Sequence, residues 1–159
     1  MNTSRVTRLT ESDWRAFAEL RLQALYDSLG PHDPQVLEES SFTAAQWRRR
    51  LRAHAQFAAV VDDRPVGLIG AQREHADSVY LYSLWLEPSA RGQGLGQLLV
   101  SAAVDWARAQ RVRTVTLRVD VANAAARGVY EALGFSLASN VGDEKKSPAA
   151  ELTMSLSVG

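Results

Sequence analysis

Residues 84–106 read LWLEPSARGQGLGQLLVSAAVDW, which joins the apolar end of a strand to a helix through the glycine-rich turn Arg91–Gly96. Such a turn presents several unpaired backbone N–H groups and the positive end of the helix dipole. Glycine also allows the backbone to approach a ligand closely and to adopt angles that a Cβ atom forbids. The stretch therefore predicts a binding site for the phosphate groups of a cofactor.

Hydrophobic periodicity extends this prediction toward the carboxyl end of the chain. Apolar residues at helical spacing run from Leu95 to Trp106 and predict a helix to about Gln110. The β-branched run Thr114–Val119 predicts a strand. A second helix follows that strand and ends before Gly134, which takes the C′ position.

The remaining segments predict further strands and helices separated by turns. In chain order they are a strand at Val6–Leu9, a helix reaching about Leu29, a mobile loop or short helix between Gly30 and Phe42, a helix beginning at the capping box Thr43–Gln46, strands at Phe57–Val61, Val66–Gln72 and Val79–Leu86, a polar, turn-like stretch at Asn140–Ala149, and a last strand around Leu152–Leu156. Hairpins first and βα units later indicate an α/β (α+β) fold with a mixed sheet, in one domain over residues 1–159.

Composition narrows the classes of function. The chain has 159 residues with 18 basic and 18 acidic side chains, so general electrostatic binding of nucleic acid is not expected. The basic run Arg48–Arg50, with Arg52, is interpreted as a solvated helix face. The absence of cysteine excludes disulfides and thiolate chemistry, and the three histidines lack metal-ligand spacing. No signal peptide or membrane span is recognised. We expect a cytoplasmic protein with no metal, no nucleic-acid partner and no membrane contact.

Two common phosphate-binding folds fit this sequence poorly. A dinucleotide-binding fold needs a third glycine or alanine at Gln97 and several more βα units than follow Asp120, although Asp120 itself could imitate the acid that binds the ribose. A nucleoside triphosphate loop needs Gly-Lys-Ser/Thr after the glycines, and the stretch 97–99 supplies neither a lysine nor a hydroxyl.

A second motif lies downstream, at Asn123–Phe135. Asn123 and Tyr130 are seven residues apart, so on a helix they share a face and stand about 10 Å apart along the axis. An amide and a phenol in this arrangement are able to line a long, narrow ligand. Simpler interpretations stay open: Asn123 as an N-cap only, Tyr130 as a core residue, the glycines as a tight turn, and Arg91 as a side chain that contacts solvent.

Together the two segments resemble the GCN5-related N-acetyltransferase (GNAT) family. Its phosphate motif, Arg/Gln-x-x-Gly-x-Gly/Ala, and its later signature, Asn-x-x-Ala-x-x-x-Tyr-x-x-x-Gly-Phe, are met in order by Arg91, Gly94, Gly96, Asn123, Ala126, Tyr130, Gly134 and Phe135. The element order fits the family over nearly the entire chain. The resemblance implies a mixed, mostly antiparallel sheet of about six to seven strands, flanked by about four helices, with a V-shaped cleft between the two central strands.

The resemblance also implies acetyl-CoA as co-substrate, without a metal, and direct attack by a primary amine of a small molecule or peptide. The backbone of the glycine turn would hold the pyrophosphate, and the strand end, where a bulge is often found, would offer main-chain groups to the pantetheine arm. Asn123 would hydrogen-bond the arm, and Tyr130, the implied catalytic residue, would protonate the departing thiolate. The implied coenzyme-binding residues are Leu84, Trp85, Leu86, Arg91, Gly92, Gln93, Gly94, Leu95, Gly96, Gln97, Asn123, Ala126 and Tyr130.

The sequence does not identify the general base. Ribosomal-protein N-terminal acetyltransferases of this family carry a glutamate just before the last valine of the strand, whereas this chain has Arg118 there, a side chain that stays protonated. A water chain that ends at a backbone carbonyl is equally admissible. The other candidate bases, each of which also fits a surface position, are Glu38, Glu39, Glu74, His75 and Asp120.

We expect the first helices and the loop Gly30–Phe42 to select the acceptor, and the acidic pair Glu38-Glu39 favours a cationic amine. Among Trp14, Trp47 and Trp85, two are expected in the core and the third could line an apolar wall. A homodimer is expected by analogy only. The alternative function is a non-catalytic acyl-CoA binding or sensing domain, which would need no proton donor.

Overall fold

The computed structural model describes residues 3–138 and 151–159, so the predicted polar stretch Asn140–Ala149 lies outside the described residues. The strands are β1 Ser4–Leu9, β2 Ala55–Val61, β3 Arg64–His75, β4 Ser78–Leu86, β5 Thr114–Asp120, β6 Ser136–Leu137 and β7 Glu151–Ser157. The α-helices are α1 Trp14–Leu29, α2 Pro34–Ser40, α3 Ala44–Ala53, α4 Leu95–Ala109 and α5 Ala124–Ala132.

The strands form one seven-stranded sheet in the order β1-β2-β3-β4-β5-β7-β6. Every neighbouring pair is antiparallel except β4 and β5, which run parallel. These two strands pair only where Ser78–Tyr80 lies beside Thr114–Thr116, and beyond Tyr80 they diverge. The mostly antiparallel sheet with a cleft between its two central strands is thereby confirmed.

Apolar layers cover both faces of the sheet. Helix α4 buries Leu95, Leu99 and Ala103 on one face, and α5 packs beside α4. Helices α1 and α3 cover the other face, where Phe17 meets Trp47 edge to face with ring centroids 5.6 Å apart. Burial of each large apolar side chain stabilises the fold by about 1.5–3 kcal/mol. The two apolar layers therefore hold in place the sheet whose central strands frame the cleft.

The helix ends follow the signals in the sequence. Thr43 Oγ1 accepts a hydrogen bond from Gln46 N at 3.2 Å, and Gln46 Oε1 accepts one from Thr43 N at 2.7 Å, which confirms the capping box of α3. Gly134 follows α5 with φ of 99°, a left-handed conformation that favours glycine and ends the helix.

The sequence predicted a mobile loop or a short helix between Gly30 and Phe42, and the structure has the short helix α2 in this segment. Its N-cap Asp33 accepts a hydrogen bond from Gln35 N at 2.8 Å, and Pro34 occupies the first turn. The described part of the chain thus contains five α-helices, where the resemblance implied about four. Within the described ranges, no helix combines the length and apolar character that crossing a membrane requires.

Candidate active site

The divergence of β4 and β5 opens a cavity of about 250 Å³ between the two strands and α5. Four of the residues predicted for coenzyme binding line it: Leu84, Asn123, Ala126 and Tyr130. Apolar side chains of β5, among them Leu117 and Val119, form part of its wall. The cavity is therefore a channel with a mixed polar and apolar lining, and an amide and a phenol lie at its α5 side.

A β-bulge lies at the edge of this cavity. Ser83 and Leu84 of β4 stand opposite the single residue Ile69 of β3, because Tyr82 pairs with Gly70 and Trp85 pairs with Leu68. Ser83 has a φ of 58°, which is uncommon for a residue other than glycine. The bulge thus begins one residue before the stretch 84–86, where the sequence suggested it, and it frees main-chain groups from the sheet beside the cavity.

The glycine turn enters α4 as the sequence predicted. Gly92 and Gly94 adopt φ of 79° and 84°, and no side chain of the described residues caps the helix. Within residues 3–138 and 151–159, none of the backbone N–H groups from Gly92 to Gln97 has a hydrogen-bond partner. A Cβ atom added at Gly92 or Gly94 would meet open space, so the turn is a ready cradle for an anion.

Arg91 makes contacts within the chain, and the phosphate contact that the family motif implies stays a prediction. Its Nη2 lies 3.1 Å from Asp27 Oδ2, and its Nε donates to the carbonyl of Leu86 at 3.0 Å. Trp85 Nε1 donates to the same Asp27 oxygen at 2.9 Å. Hydrogen bonds from Trp85 and Arg91 lower the pKa of the Asp27 carboxyl. Arg91 therefore ties the glycine turn to α1 and to the end of β4.

The two neighbours of Leu84 in the predicted set lie outside the cavity. The Trp85 side chain is buried in the apolar layer beneath α1 and α3. Leu86 packs against the opposite layer, where its Cδ1 atom would lie 3.8 Å from a Cβ atom added at Gly96. The Leu86 carbonyl accepts the hydrogen bond from Arg91. Of the predicted stretch 84–86, Leu84 borders the channel, together with the bulged Ser83 before it.

Asn123 caps α5 and still has hydrogen-bonding capacity. Its Oδ1 accepts a hydrogen bond from Ala126 N at 3.0 Å. The side-chain NH₂ group donates to no partner among the described residues and lies at the cavity. The capping interpretation is thus correct for the oxygen, and the nitrogen is available to a ligand.

Tyr130 is 7% exposed and packs edge to face against Phe135, with ring centroids 6.0 Å apart. Its hydroxyl has no hydrogen-bond partner in the described part of the chain and borders the cavity. Burial, with a smaller contribution from Tyr80, raises the pKa of Tyr130 to about 12. The phenol consequently stays protonated at neutral pH and can donate its proton within the channel.

A second cavity of about 210 Å³, which we call the arginine cavity, lies on the opposite face of the sheet beneath α1, α2 and α3. It shares Tyr82 and Ser83 with the channel, so the two spaces meet at the bulge. Its charged residues are Arg21, Glu39 and Arg50. The sequence did not single out Arg21 or Ser83, because a lone arginine on a helix and a lone serine in an apolar strand carry no motif.

The structure corrects the expectation that Glu39 lies at the surface. Glu39 is 3% exposed, whereas its neighbour Glu38 is exposed. Arg21 Nε and Arg50 Nη1 lie 3.2 Å and 2.7 Å from Glu39 Oε1, and Gln35 Nε2 donates to Oε2 at 2.9 Å. The carboxylate is thus fully engaged and is not free to attract a cationic acceptor.

A hydrogen-bonded chain runs along one wall of the arginine cavity. Gln56 Nε2 donates to the Tyr82 hydroxyl at 2.7 Å, and that hydroxyl lies 2.6 Å from His54 Nδ1. Burial, followed by the charge of Arg50, lowers the pKa of His54, which favours the neutral ring. The Tyr82 hydroxyl then donates to Nδ1, so no cationic histidine adds to the charge of the cavity.

The other candidate bases lie away from the bulge or are engaged elsewhere. Glu74 and His75 pair with each other at 3.6 Å at the exposed end of β3. Asp120 Oδ1 accepts a hydrogen bond from Ala122 N at 2.8 Å in the turn before α5. Arg118 borders the channel in the position where the resemblance would place a glutamate. The described residues therefore place no carboxylate base at the junction of the two cavities.

Replacement of Glu39 by glutamine is expected to destabilise the protein by about 2–4 kcal/mol at pH 7, because two guanidinium groups lose their counterion. Burial alone would raise the pKa of Glu39, but hydrogen bonds from Arg21, Gln35 and Arg50 outweigh it and lower the pKa below its ordinary value of 4.5. A lowered pKa in the folded state stabilises above pH 4.5 and loses its effect as the pH falls through the folded value.

Urea unfolding at pH 7 and at successively lower pH values measures this effect. The matched control is Glu38→Gln, which removes an exposed carboxylate one residue away. The gap in unfolding free energy between Glu39→Gln and the parent protein should narrow on acidification. Equal stabilities of the two variants at pH 7 would show that the ion pairs of Glu39 contribute nothing.

The chain matches the sequence profile described as the acetyltransferase (GNAT) family over residues 15–135. Mycothiol acetyltransferase of Beutenbergia cavernae is 45% identical over 56 residues, which are 35% of this chain and 19% of that protein. The peptidyl-lysine N-acetyltransferase YjaB of Salmonella typhimurium is 35% identical over 82 residues, which are 51% of this chain and 50% of that protein. The matched segments thus span half or less of these curated relatives.

Solved structures share the fold over nearly the whole chain. The structure of YncA from Salmonella typhimurium, solved with its cofactor acetyl-CoA, superposes with a TM-score of 0.74 at 19% identity. The superposition covers 99% of this chain and 95% of that chain. At 19% identity this similarity shows a shared fold only.

Proposed function

The chain belongs to the acetyltransferase (GNAT) family, and on that premise we propose that it transfers the acetyl group of acetyl-CoA to a primary amine of a small molecule or peptide. The observation that carries the proposal is the continuity of the site. A helix start with N–H groups that are unpaired among the described residues and a channel of mixed polar and apolar lining both adjoin the end of β4, and a protonated phenol lies in the channel.

Each part of the site suits one part of the coenzyme. The N–H groups of Gly92–Gln97 and the dipole of α4 would bind the diphosphate, since both favour negative charge. The channel would hold the pantetheine arm, with the NH₂ group of Asn123 and the main chain of the bulge as hydrogen-bonding partners. The coenzyme supplies an activated acetyl group as a thioester.

Two protons move in the reaction: the sulfur that leaves gains one from Tyr130, and the acceptor ammonium releases the other to water. Tyr130 would donate its proton to the sulfur of the departing thiolate, and with a pKa of about 12 the phenol is protonated when the reaction begins. The acceptor must lose a proton to become a neutral nucleophile, because an alkyl ammonium ion with a pKa of about 10 is almost wholly protonated at neutral pH. The bulge would supply a backbone N–H to steady negative charge on the carbonyl oxygen.

The test is release of free thiol from acetyl-CoA in the presence of a panel of amines, combined with calorimetric titration of coenzyme A. Binding together with amine-dependent thiol release supports the transferase. Binding without turnover on any amine supports the alternative of a non-catalytic acyl-CoA sensor. Absence of coenzyme binding would contradict both functions.

The two roles of Asn123 can be separated by a pair of variants. Asn123→Asp keeps an oxygen to cap α5 but loses the NH₂ donor, whereas Asn123→Ala loses both. Both variants are expected to weaken coenzyme binding about fivefold, the value of one hydrogen bond. Only the alanine variant should also lose about 1 kcal/mol of stability.

Calorimetry and urea unfolding of the two variants provide the measurements. The contrast between them is the control, because both change the same side chain. If Asn123→Asp binds the coenzyme as tightly as the parent protein, the nitrogen of Asn123 has no part in binding and the residue is a cap alone.

A further inference from the structure

The arginine cavity has more positive than negative charge. Its lining contains two arginines, Arg21 and Arg50, and one carboxylate, Glu39, while His54 is neutral. The lining therefore has a surplus of one positive charge. Buried charges are normally compensated, and among residues 3–138 and 151–159 one guanidinium charge has no counterpart in the cavity.

The surplus charge is largely shielded from solvent. The side chains of Arg21 and Arg50 are 13% and 29% exposed, and Glu39 is 4% exposed. Aromatic rings hold the Arg50 guanidinium in place, since its Cζ lies 5.1 Å from the centre of Phe42 and 5.6 Å from that of Trp47. A fixed and poorly hydrated guanidinium is a good partner for a planar or tetrahedral anion.

The arginine cavity is connected to the point where acetyl transfer would occur. Arg21 Nη1 donates to Ser83 Oγ at 2.8 Å, and Ser83 is the bulged residue that also borders the coenzyme channel. An anion held at the arginines would therefore lie within a few bonds of an amine placed at the bulge. A volume of about 210 Å³ suits a molecule of amino-acid size.

From this juxtaposition we propose that the arginine cavity binds the anionic group of the acceptor, so that the substrate is a small amine carrying a carboxylate or phosphate close to its amino group. The inference rests on the proposed acetyl transfer for the role of the amine. It replaces the cationic acceptor that Glu38 and Glu39 suggested, because Glu39 is already neutralised by two arginines.

The test compares matched pairs of compounds that differ only in the anion. Protein saturated with coenzyme A, and protein without it, is titrated calorimetrically with α- and β-amino acids and their amides, and with phosphoethanolamine and ethanolamine. Anionic compounds are expected to bind at least about tenfold more tightly than their neutral partners, as one charge-assisted interaction provides. The pair with the larger difference identifies the anion as carboxylate or phosphate.

The variant Arg50→Gln removes the surplus charge and leaves Arg21 paired with Glu39. It should abolish the preference for the anionic partner of each pair without changing the affinity for coenzyme A. Arg49→Gln, an exposed position on the same helix, is the matched control and should keep the preference. Intact folding of both variants is checked by circular dichroism and urea unfolding.

Two results would overturn the inference: neutral amines binding as tightly as their anionic partners, or a polyamine such as spermidine binding best. Failure of the protein to bind coenzyme A would refute the proposed acetyl transfer instead. If coenzyme A does not bind, the titrations without coenzyme still measure binding at the arginine cavity. A preference for anionic compounds that disappears in Arg50→Gln would then support the anion site independently of acetyl transfer.

Discussion

Replacement of Tyr130 by phenylalanine is expected to lower kcat about 100-fold or more while leaving the dissociation constant of coenzyme A within about twofold, the signature of a lost proton donor. The hydroxyl has no partner among the described residues, so its removal leaves no unsatisfied group behind. The ring, which packs against Phe135, is retained, and the stability should change little.

Steady-state thiol release and calorimetry on Tyr130→Phe make this measurement, with Tyr26→Phe as the control at an exposed position on α1. The raised pKa of about 12 adds a pH criterion, because the donor stays protonated across the range in which acceptor amines lose their protons. The parent enzyme should therefore show no loss of kcat/KM due to Tyr130 below about pH 10. Equal losses of kcat and of coenzyme affinity would mean that Tyr130 is structural.

Replacement of Gly94 by valine is expected to weaken coenzyme binding about 100-fold or more, equivalent to two lost charge-assisted hydrogen bonds. Gly94 has a φ of 84°, and a Cβ atom there would meet no atom of the described residues within 4 Å. The new side chain therefore clashes with no protein atom near its Cβ, and instead occupies the space through which a diphosphate would reach the N–H groups of the turn.

A strained backbone is the competing explanation, because valine at a positive φ costs about 1–2 kcal/mol. Gly30→Val is the matched control, since Gly30 also has a φ of 84° and open space around its Cβ but lies at the end of α1. Both variants should lose stability, and only Gly94→Val should lose coenzyme affinity in calorimetry. Unchanged affinity in Gly94→Val would remove the glycine turn from the binding site.

The parts of the fold that the sequence predicted well are those set by local signals. Helix α4 begins at Leu95 and α5 ends before Gly134 because apolar periodicity and glycine conformation act within one or two turns. The glycine turn leads into α4, and the pair of Asn123 and Tyr130 belongs to α5, so these motifs lie on the elements that the sequence predicted, and their role in coenzyme binding stays a prediction. The position of Leu84 was predictable because the sequence marks where β4 ends.

The parts that sequence reasoning missed depend on relations between distant segments. The bulge at Ser83 is a register relation with Ile69, which the residue pattern of β4 alone does not contain. Glu39 forms ion pairs with Arg21 and Arg50, which lie on two other helices and are separated from it by 18 and 11 positions in the sequence. In the basic run, Arg48 and Arg49 are solvent-exposed as predicted, whereas Arg50 turns into the arginine cavity.

Binding of a diphosphate at the start of α4 is the central claim, and a crystal structure of the protein with coenzyme A tests it most directly. The diphosphate should lie against the backbone N–H groups of Gly92–Gln97, and the pantetheine arm should enter the channel between β4 and β5 with its sulfur near Tyr130. A coenzyme bound elsewhere, with this turn and channel empty, would contradict the claim.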